Sequence, residues 1–423
     1  MDRNPYLPRV ADAVLDEALE ASGAVLIEGP KWCGKTRTAE HRAASAIFLQ
    51  DPDRAEGYLR AVDTKPSLLL EGPVPRLIDE WQTAPVLWDA VRFAVDRRAA
   101  TGQFILTGSA VPRDGVTQHT GTGRIARLLL RPMSLFESGE SNGAVSLRDL
   151  FNGAGDVTGL SPLSVEGLAF ALARGGWPAT VRGTAPEVAL RRVFDYVDAV
   201  VELDVSRVDG VTKSPVRVRA LLRSLARHTA TQASLATIRA DLEVNDATSS
   251  DKTITAHLDA LRRIFVVEDL PAWNPALRSR TPLRTSVTRH FVDPSIAVAA
   301  LRASPGALLA DFNTFGLLFE SLCVRDLRVY SQPIDGEVFH YRDKSGLEAD
   351  AVVQLKDGRW GAVEVKMGVR ETDLAAQHLL ALADRVDADR LRPPSFLMVL
   401  TATEVAYRRP DGVQVVPIGC LRP

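Results

Sequence analysis

Residues 29–36, which read GPKWCGKT, constrain the fold of this chain more than any other segment. They fit the pattern G-x-x-x-x-G-K-[ST], in which the glycines allow a loop whose backbone N–H groups converge on a phosphate. An apolar strand is predicted before the loop, at 24–28, and a helix after it, at 36–44, whose dipole adds to anion binding. This order of elements predicts an α/β domain built on a parallel sheet.

The chemistry of the loop predicts a site for ATP and Mg²⁺. Lys35 is expected to reach the β- and γ-phosphate oxygens, and the Thr36 hydroxyl is expected to coordinate Mg²⁺. A chance glycine-rich turn is the alternative, and the flanking strand and helix argue against it. The residues of this segment predicted to bind the nucleotide are Gly29, Pro30, Lys31, Trp32, Cys33, Gly34, Lys35, Thr36 and Arg37.

Two later strands end in residues that suit nucleotide hydrolysis. The first, at 75–80, ends in Asp79, predicted to hold Mg²⁺, and Glu80, predicted to polarise the attacking water. It follows the loop by about 40 residues, roughly one βαβ unit. The next strand, at 103–109, ends where such folds place a γ-phosphate sensor, for which Ser109 is the first candidate and Thr107 the second. Thr-Gly-Ser also suits an ordinary strand-ending turn.

A basic segment follows, GTGRIAR at 121–127, before a strand predicted at 128–133. Arg124 is predicted to act on the γ-phosphate, within the same chain or from a neighbouring subunit, and Arg127 and Arg131 are the other candidates. The alternative for each arginine is a solvated position on a basic loop.

Length and composition fit an ordinary soluble protein. The 423 residues are enough for about two to four domains. A net charge of −2 gives no overall bias toward nucleic acid or an anionic membrane, and no apolar run approaches the roughly 18 residues of a membrane span. Three scattered cysteines, Cys33, Cys323 and Cys420, suggest a reducing compartment. We therefore expect a cytoplasmic protein with no membrane partner.

The middle of the chain is predicted to be helical and locally basic. Residues 138–159 are rich in small and polar residues and suggest a linker, and a long helix is predicted over 186–208. Residues 213–290 contain 13 Lys or Arg against seven Asp or Glu. Three helices and a strand at 265–270 follow the order of a winged helix-turn-helix, with Arg262 and Arg263 as candidate DNA-phosphate contacts. The alternative is a winged helix used for protein contact or internal packing.

The carboxyl-terminal region contains a second group of chemically reactive residues. A hairpin turn at 357–358 joins two predicted strands that carry Asp350 on one and Glu364 and Lys366 on the other. Two carboxylates beside a lysine can bind Mg²⁺ and support phosphodiester hydrolysis, with Asp350 and Glu364 as the metal ligands. Glu320, on the preceding helix, is a further candidate ligand. The alternative is a charged, exposed hairpin face.

Taken together, these residues resemble the bacterial and archaeal AAA-type ATPases with a carboxyl-terminal domain of unknown function. The matching pieces are GPKWCGKT, RLIDEW, FILTGS, GTGRI, GGWP, the acid-bearing helix with Asp204, and GLEADAVV with AVEVK. Two positions differ from the family pattern. Ala349 replaces the proline before the first nuclease-type acid, and Leu203 replaces an arginine before Asp204, which argues against a polar network around Asp204.

The resemblance implies a multidomain α/β chain. Its parts are a P-loop AAA-like domain at 1–140, a helical linker or lid at 141–212, a winged helix at 213–275 and a restriction-endonuclease-like α/β domain of the PD-(D/E)xK type at 276–423. It also implies ATP binding by Gly34, Lys35 and Thr36 and nuclease-like positions at Asp350, Glu364 and Lys366. The expected function is an ATP-hydrolysing switch or motor that acts on DNA. A regulatory or protein-interaction ATPase with a non-catalytic carboxyl-terminal module is the alternative, and homo-oligomerisation is left open.

Overall fold

The computed structural model describes residues 5–109, 120–153, 157–208, 210–244, 249–274, 286–386 and 392–423. Within these ranges the strands are β1 Ala24–Glu28, β2 Ser45–Phe48, β3 Arg76–Asp79, β4 Phe104–Gly108, β5 Ile125–Leu129, β6 Val145–Ser146, β7 Gly159–Leu160, β8 Gly336–Arg342, β9 Glu348–Leu355, β10 Trp360–Lys366, β11 Phe396–Thr401, β12 Val405–Arg408, β13 Gln414–Pro417 and β14 Leu421–Arg422. The α-helices are α1 Ala11–Ala21, α2 Lys35–Arg42, α3 Ala55–Thr64, α4 Val86–Arg98, α5 Leu135–Ser138, α6 Leu147–Phe151, α7 Val165–Arg174, α8 Pro178–Val181, α9 Pro186–Ala199, α10 Val205–Arg207, α11 Pro215–Arg227, α12 Leu235–Val244, α13 Asp251–Arg263, α14 Pro294–Leu301, α15 Pro305–Ala310, α16 Phe312–Ser331 and α17 Thr372–Arg385.

The amino-terminal sheet has the order β2-β3-β4-β1-β5, and every neighbouring pair is parallel. Its apolar strands are buried between two hydrophobic clusters, one on each face. Because parallel strands end at the same edge of a sheet, the residues that follow β1, β3 and β4 meet there. The predicted parallel sheet is confirmed, and β4 lies between the strands that carry the two strongest motifs.

The long helix predicted over 186–208 is present but interrupted. Helix α9 continues through a π-helical turn, Val200–Asp204, into the short α10.

The linker predicted at 138–159 is wrong for the described residues. Strand β6 pairs with β14 at the far end of the chain, and β7 joins the carboxyl-terminal sheet beside β12. This segment is therefore joined to the carboxyl-terminal strands β12 and β14.

Helices α11, α12 and α13 form in the predicted order. The strand expected at 265–270 is reduced to two isolated antiparallel bridges, Val267 with Phe291 and Leu270 with Thr288. The connection between the two bridged segments includes residues 275–285, which lie outside the described part of the chain. The winged helix and the domain boundaries at 140, 212 and 275 therefore stay predictions.

The carboxyl-terminal sheet is mixed, with the order β7-β12-β13-β11-β10-β9-β8. Strands β9 and β10 are antiparallel, whereas β10 and β11 are parallel. Alternate residues of these central strands enter two hydrophobic clusters, one that includes α17 and one that includes α16. This alternation determines which side chains of β9 and β10 share a face.

Candidate functional site

The loop between β1 and α2 depends on glycine at both ends. Gly29 has φ +150° and Gly34 has φ +103°. Residues other than glycine adopt these backbone conformations only under strain. A Cβ atom at Gly29 would lie 2.2 Å from the carbonyl oxygen of Leu130. Any residue other than glycine at position 29 would therefore clash with the backbone just after β5.

The lysine of the loop is buried and held by backbone carbonyls. Lys35 Nζ donates to the carbonyl oxygens of Gly29, at 3.0 Å, and Pro30, at 2.7 Å. The loop is fixed from behind by Arg9, whose Nη1 donates to the carbonyl oxygen of Cys33 at 2.8 Å and whose Nε pairs with Glu137 at 3.0 Å. Arg9 could not be found from the sequence, because it precedes the first strand and belongs to no local motif.

The predicted Mg²⁺ ligands lie side by side. Thr36 Oγ1 donates to Asp79 Oδ1 at 2.9 Å, and Thr107 Oγ1 donates to the same oxygen at 2.7 Å. A threonine hydroxyl beside an aspartate carboxylate is an oxygen donor set of the kind that Mg²⁺ prefers. The residues present therefore fit a magnesium ion held between Thr36 and Asp79.

Glu80 faces the same edge in an unusual backbone conformation. Its φ of +56° and ψ of +49° are left-handed, a conformation that costs energy for a residue other than glycine and is enriched at functional sites. Its carboxylate accepts hydrogen bonds from Ser109 Oγ, at 3.3 Å, and from the side-chain amide of Gln82. Both sensor candidates thus lie at this edge, with Ser109 against Glu80 and Thr107 against Asp79.

A cavity of about 740 Å³ opens in front of the loop. Its walls include Glu80 and six of the nine predicted loop residues, Lys31, Trp32, Gly34, Lys35, Thr36 and Arg37. Cys33 is instead fully buried behind the loop. The rest of the wall includes residues that sequence analysis did not connect with the site, namely Tyr6, Leu7 and Arg9 near the amino terminus and Pro178, Ala179, Arg182, Thr184 and Arg192 around α8 and α9.

The α8–α9 segment brings positive charge to this cavity. Arg192 Nη1 donates to Thr184 Oγ1 at 3.3 Å and to the carbonyl oxygen of Ala179, which orients the guanidinium along the wall. Pro178 would lie 3.4 Å from a Cβ atom at Gly34, so the segment also touches the loop itself. The GGWP turn at 175–178 was the only sequence signal for this approach.

The structure corrects the prediction for Arg124 within one chain. Arg124 immediately precedes β5, and Ala24 at the start of β1 pairs with the first residue of β5. Arg124 therefore lies at the edge of the sheet opposite the loop, where Nε pairs with Asp96 at 2.8 Å. The other two candidates are also engaged elsewhere, because Arg127 pairs with Glu28 at 3.0 Å and Arg131 pairs with Glu268 at 2.6 Å.

Asp204 does take part in a polar contact at the junction, contrary to the expectation drawn from Leu203. Its Oδ1 lies 2.5 Å from Lys31 Nζ of the loop. The family-type arginine before the acid is therefore not needed for this contact, because the partner cation comes from the loop.

Asp350, Glu364 and Lys366 converge on one face of the carboxyl-terminal sheet, as their strand positions predicted. Lys366 Nζ lies 2.7 Å from Glu364 Oε2 and 3.5 Å from Asp350 Oδ2. Asp350 Oδ2 also accepts from the backbone N–H of Val365 at 2.7 Å. The single positive charge of the lysine is therefore shared between two acids and can offset only one carboxylate charge.

The electrostatics of this cluster are strongly perturbed. Burial, with a contribution from the Asp350 carboxylate, raises the pKa of Glu364 to about 8. The same two causes raise the pKa of Glu320 well above its ordinary value. Glu364 Oε1 is buried and accepts no hydrogen bond from the described residues. Within those same residues, no group of three or more His, Cys, Asp or Glu side chains is arranged to hold a metal ion.

Charge pairing changes the interpretation of the basic segment at 213–290. Arg262 pairs with Asp269 at 2.6 Å and with Asp259 at 2.9 Å, so it is not poised as the phosphate contact expected from sequence. Arg263 also takes part in an interaction within the protein. Several other arginines of the segment are paired with carboxylates, namely Arg219, Arg227, Arg239 and Arg289.

Comparisons with known proteins match three parts of the chain. Residues 21–138 match the family model described as AAA domain, residues 165–307 match a domain of unknown function (DUF8612), and residues 315–421 match another (DUF4143). Residues 21–138 therefore combine similarity to the AAA domain family with the loop and the parallel sheet order described above. The two other matches carry no described activity.

Two curated relatives and one solved structure are similar to the chain. Uncharacterized proteins of Mycobacterium tuberculosis and Mycobacterium bovis are each 26% identical over 363 residues, which is 85% of this chain and 73% of each relative. A Walker-type ATPase of Pyrococcus abyssi aligns at 16% identity with a TM-score of 0.43, over 70% of this chain and 96% of that one.

Among the residues that the structure describes, no helix combines the length and the apolar character needed to cross a membrane.

Proposed function

We propose that this chain binds ATP with Mg²⁺ in the cavity in front of residues 29–36 and hydrolyses it. The observation that carries the proposal is the hydrogen bond between Thr36 and Asp79, which places both candidate Mg²⁺ ligands beside Lys35. The loop N–H groups and Lys35 would bind the phosphates, and Mg²⁺ would neutralise phosphate charge. Glu80 would orient the attacking water, because its carboxylate lines the same cavity.

Ser109 and Thr107 would report the γ-phosphate through their contacts with the two acids. Ser109 donates a hydrogen bond to Glu80, and Thr107 donates one to Asp79. A movement of either hydroxyl would therefore change the hydrogen bonding of a carboxylate. Arg182 and Arg192 would take the place that sequence analysis gave to Arg124, because they reach the cavity wall from the α8–α9 segment. Positive charge from this second segment would couple closure of the cavity to bound phosphate.

The direct test is ATP hydrolysis by the full chain with and without DNA. Lys35→Ala should abolish ATP binding or turnover while the protein stays folded, because it removes the buried cation of the loop. Lys65→Ala is the matched control, since Lys65 is an exposed lysine of the same domain and should leave turnover unchanged. Turnover in Lys35→Ala at the level of the unmodified protein would contradict the assignment.

The target of the ATPase is a separate question. The basic composition of residues 213–290 favours DNA, but the paired arginines of α11–α13 support the alternative, a regulatory or protein-interaction ATPase. Phosphate contacts make DNA binding steeply salt-dependent. Stimulation of turnover by DNA together with a steep salt dependence of binding would support the DNA target. Weak binding that is insensitive to salt would support a protein target.

A metal-dependent nuclease at the second cluster is a second candidate function. The buried, unpartnered Oε1 of Glu364 supports it, whereas the pairing of Lys366 with both acids supports a non-catalytic module. Asp350 and Glu364 would hold the metal, and the raised pKa of Glu364 means that metal binding must displace a proton. Affinity for Mn²⁺ should therefore rise between pH 6 and about pH 8.

Plasmid nicking with Mn²⁺ at pH 8 distinguishes a metal-dependent nuclease from a non-catalytic module. Asp350→Ala should abolish both metal binding and nicking if the site is active. Asp357→Asn is the control, because Asp357 is an exposed carboxylate in the turn of the same hairpin. Absence of nicking by the unmodified protein, with no Mn²⁺ binding, would leave the non-catalytic module.

A further inference from the structure

The phosphate-binding loop contacts α9 and the π-helical turn through two residues whose identity the loop pattern does not specify. Lys31 Nζ lies 2.5 Å from Asp204 Oδ1, and the ring of Trp32 lies 5.9 Å from the ring of Tyr196. Trp32 has a left-handed φ of +69°, so the backbone at this point is strained. Both loop residues also line the cavity. The loop is thus linked to a neighbouring helix on the side where phosphate would enter.

The π-helical turn decides where Asp204 points. A π turn holds one residue more than an α-helical turn, which rotates the following residues by about 100° relative to a regular helix. Asp204 is the last residue of this turn and faces the loop, whereas Glu202 on the same turn pairs with Arg219 of α11. Such turns are rare and occur often at functional sites.

The position of the ion pair brings it into competition with a nucleotide. The Asp204 side chain is only 11% exposed, while that of Lys31 is 47% exposed and borders the cavity. The phosphates of ATP would attract the Lys31 ammonium and repel the Asp204 carboxylate over the same few ångströms. Arg192, earlier on the same helix, would be attracted by the same charge.

The segment after Asp204 leads directly into the helices of the middle of the chain. Val205 is fully buried, and α10 packs against α13. Glu202 and Asp198 both bind Arg219, so the helix is also joined to α11. A change at Asp204 would therefore be passed to α11 and α13 through packed side chains rather than through solvent.

We propose that Asp204 is a positioning residue that holds Lys31 in an ion pair, and that a nucleoside triphosphate in the loop breaks this pair. The ion pair opposes nucleotide binding. When the pair breaks, the resulting movement of Asp204 is passed on to α10, α11 and α13. This inference rests on the proposed ATP binding, and it assigns to Asp204 a regulatory effect on that same site.

The test is the affinity for Mg·ATP, measured by calorimetry on the full chain. Asp204→Asn should bind Mg·ATP about fivefold more tightly, because Lys31 no longer has to leave a carboxylate. In a Lys31→Ala background the same Asp204 substitution should have a much smaller effect, because only the direct repulsion between phosphate and carboxylate is then removed. A purely structural role of Asp204 would predict the same effect in both backgrounds. Glu187→Gln is the control, since it removes an exposed carboxylate from α9 and should leave the affinity unchanged.

Hydrogen exchange gives a second readout that needs no variant. Amide exchange in residues 204–208 of the unmodified protein should accelerate when Mg·ATP is added. If the unmodified protein binds no nucleotide, the proposed function itself fails. If it binds Mg·ATP, two results overturn the role of Asp204: an affinity of Asp204→Asn equal to or weaker than that of the unmodified protein, or unchanged exchange in residues 204–208.

Discussion

The side chain of Glu364 shows how one residue can link stability to pH. Burial raises its pKa to about 8 in the folded protein, above its ordinary value of 4.5. Between these values the folded state binds more protons than the unfolded state, so the free energy of unfolding falls as pH rises. Lys366 titrates above this window, because its pKa is also raised.

Glu364→Gln should therefore flatten the decline in stability between about pH 5 and pH 8. We expect the free energy of unfolding of the variant, relative to the unmodified protein, to increase by about 1–3 kcal/mol across this window. Denaturant unfolding at several pH values measures it. Glu337→Gln, an exposed change on the same sheet, is the control and should leave the pH dependence unchanged. Parallel pH profiles of Glu364→Gln and the unmodified protein would contradict the buried, protonated carboxylate.

The positions of residues at the cavity could be predicted where the motif is local in sequence. The loop pattern and the strand ending in Asp79 specified Lys35, Thr36 and Glu80, because strand ends at one edge of a parallel sheet converge. Arg124 was misplaced, because the sequence does not reveal that the strand after it runs parallel to β1. Arg192 and Asp204 could not be predicted, since their approach to the loop depends on how a distant helix packs.

At the scale of elements, α13 combines a predictable helix with an unexpected role for its last turn. Arg262 joins Asp259 on its own helix to Asp269 beyond it, and Asp269 also pairs with Arg289. The amphipathic spacing predicted the helix, but no local pattern reveals which carboxylates its arginines will meet. The short strands β6 and β7 were unpredictable for the same reason, because they form by pairing with strands distant in sequence. The π-helical turn had no local sequence signal either.

Arg262→Ala tests this element directly. We expect a loss of stability of about 1 kcal/mol, because the partly buried Asp269 keeps only one of its two arginines. The salt dependence of DNA binding should be unchanged, since Arg262 is occupied by carboxylates. Arg223→Ala is a comparison on the exposed face of α11 and should leave stability unchanged within about 0.5 kcal/mol. A salt slope flattened by about one unit in Arg262→Ala would identify a phosphate contact instead.

At the scale of the whole molecule, a buried ion network joins the segments. Arg325 of α16 pairs with Asp293 at 2.8 Å and Asp326 at 2.6 Å, and all three side chains are at most 2% exposed. Asp326 accepts from the backbone N–H of Leu135, just after the ATPase sheet, and Asp293 accepts from that of Gly176 in the GGWP turn. The GGWP turn, whose Pro178 lines the cavity, is thus hydrogen-bonded to an ion network that includes α16.

Removing the central cation should destabilise the whole chain. Arg325→Ala leaves two buried carboxylates without their partner, which costs about 3–5 kcal/mol. Chemical unfolding measures this loss, and the exposed Arg370→Ala should stay within about 0.5 kcal/mol of the unmodified protein. A loss below about 1 kcal/mol in Arg325→Ala would mean that the network does not hold the segments together.

We propose above that ATP is hydrolysed at the edge of the amino-terminal sheet, with Glu80 acting on water rather than on the nucleotide. Affinity for Mg·ATP and the rate of phosphate release, measured together in Glu80→Gln, test it most directly. Affinity should stay within about threefold of that of the unmodified protein, while turnover should fall by about 100-fold or more. Turnover at the unmodified level, or an equal loss of affinity and turnover, would contradict this account.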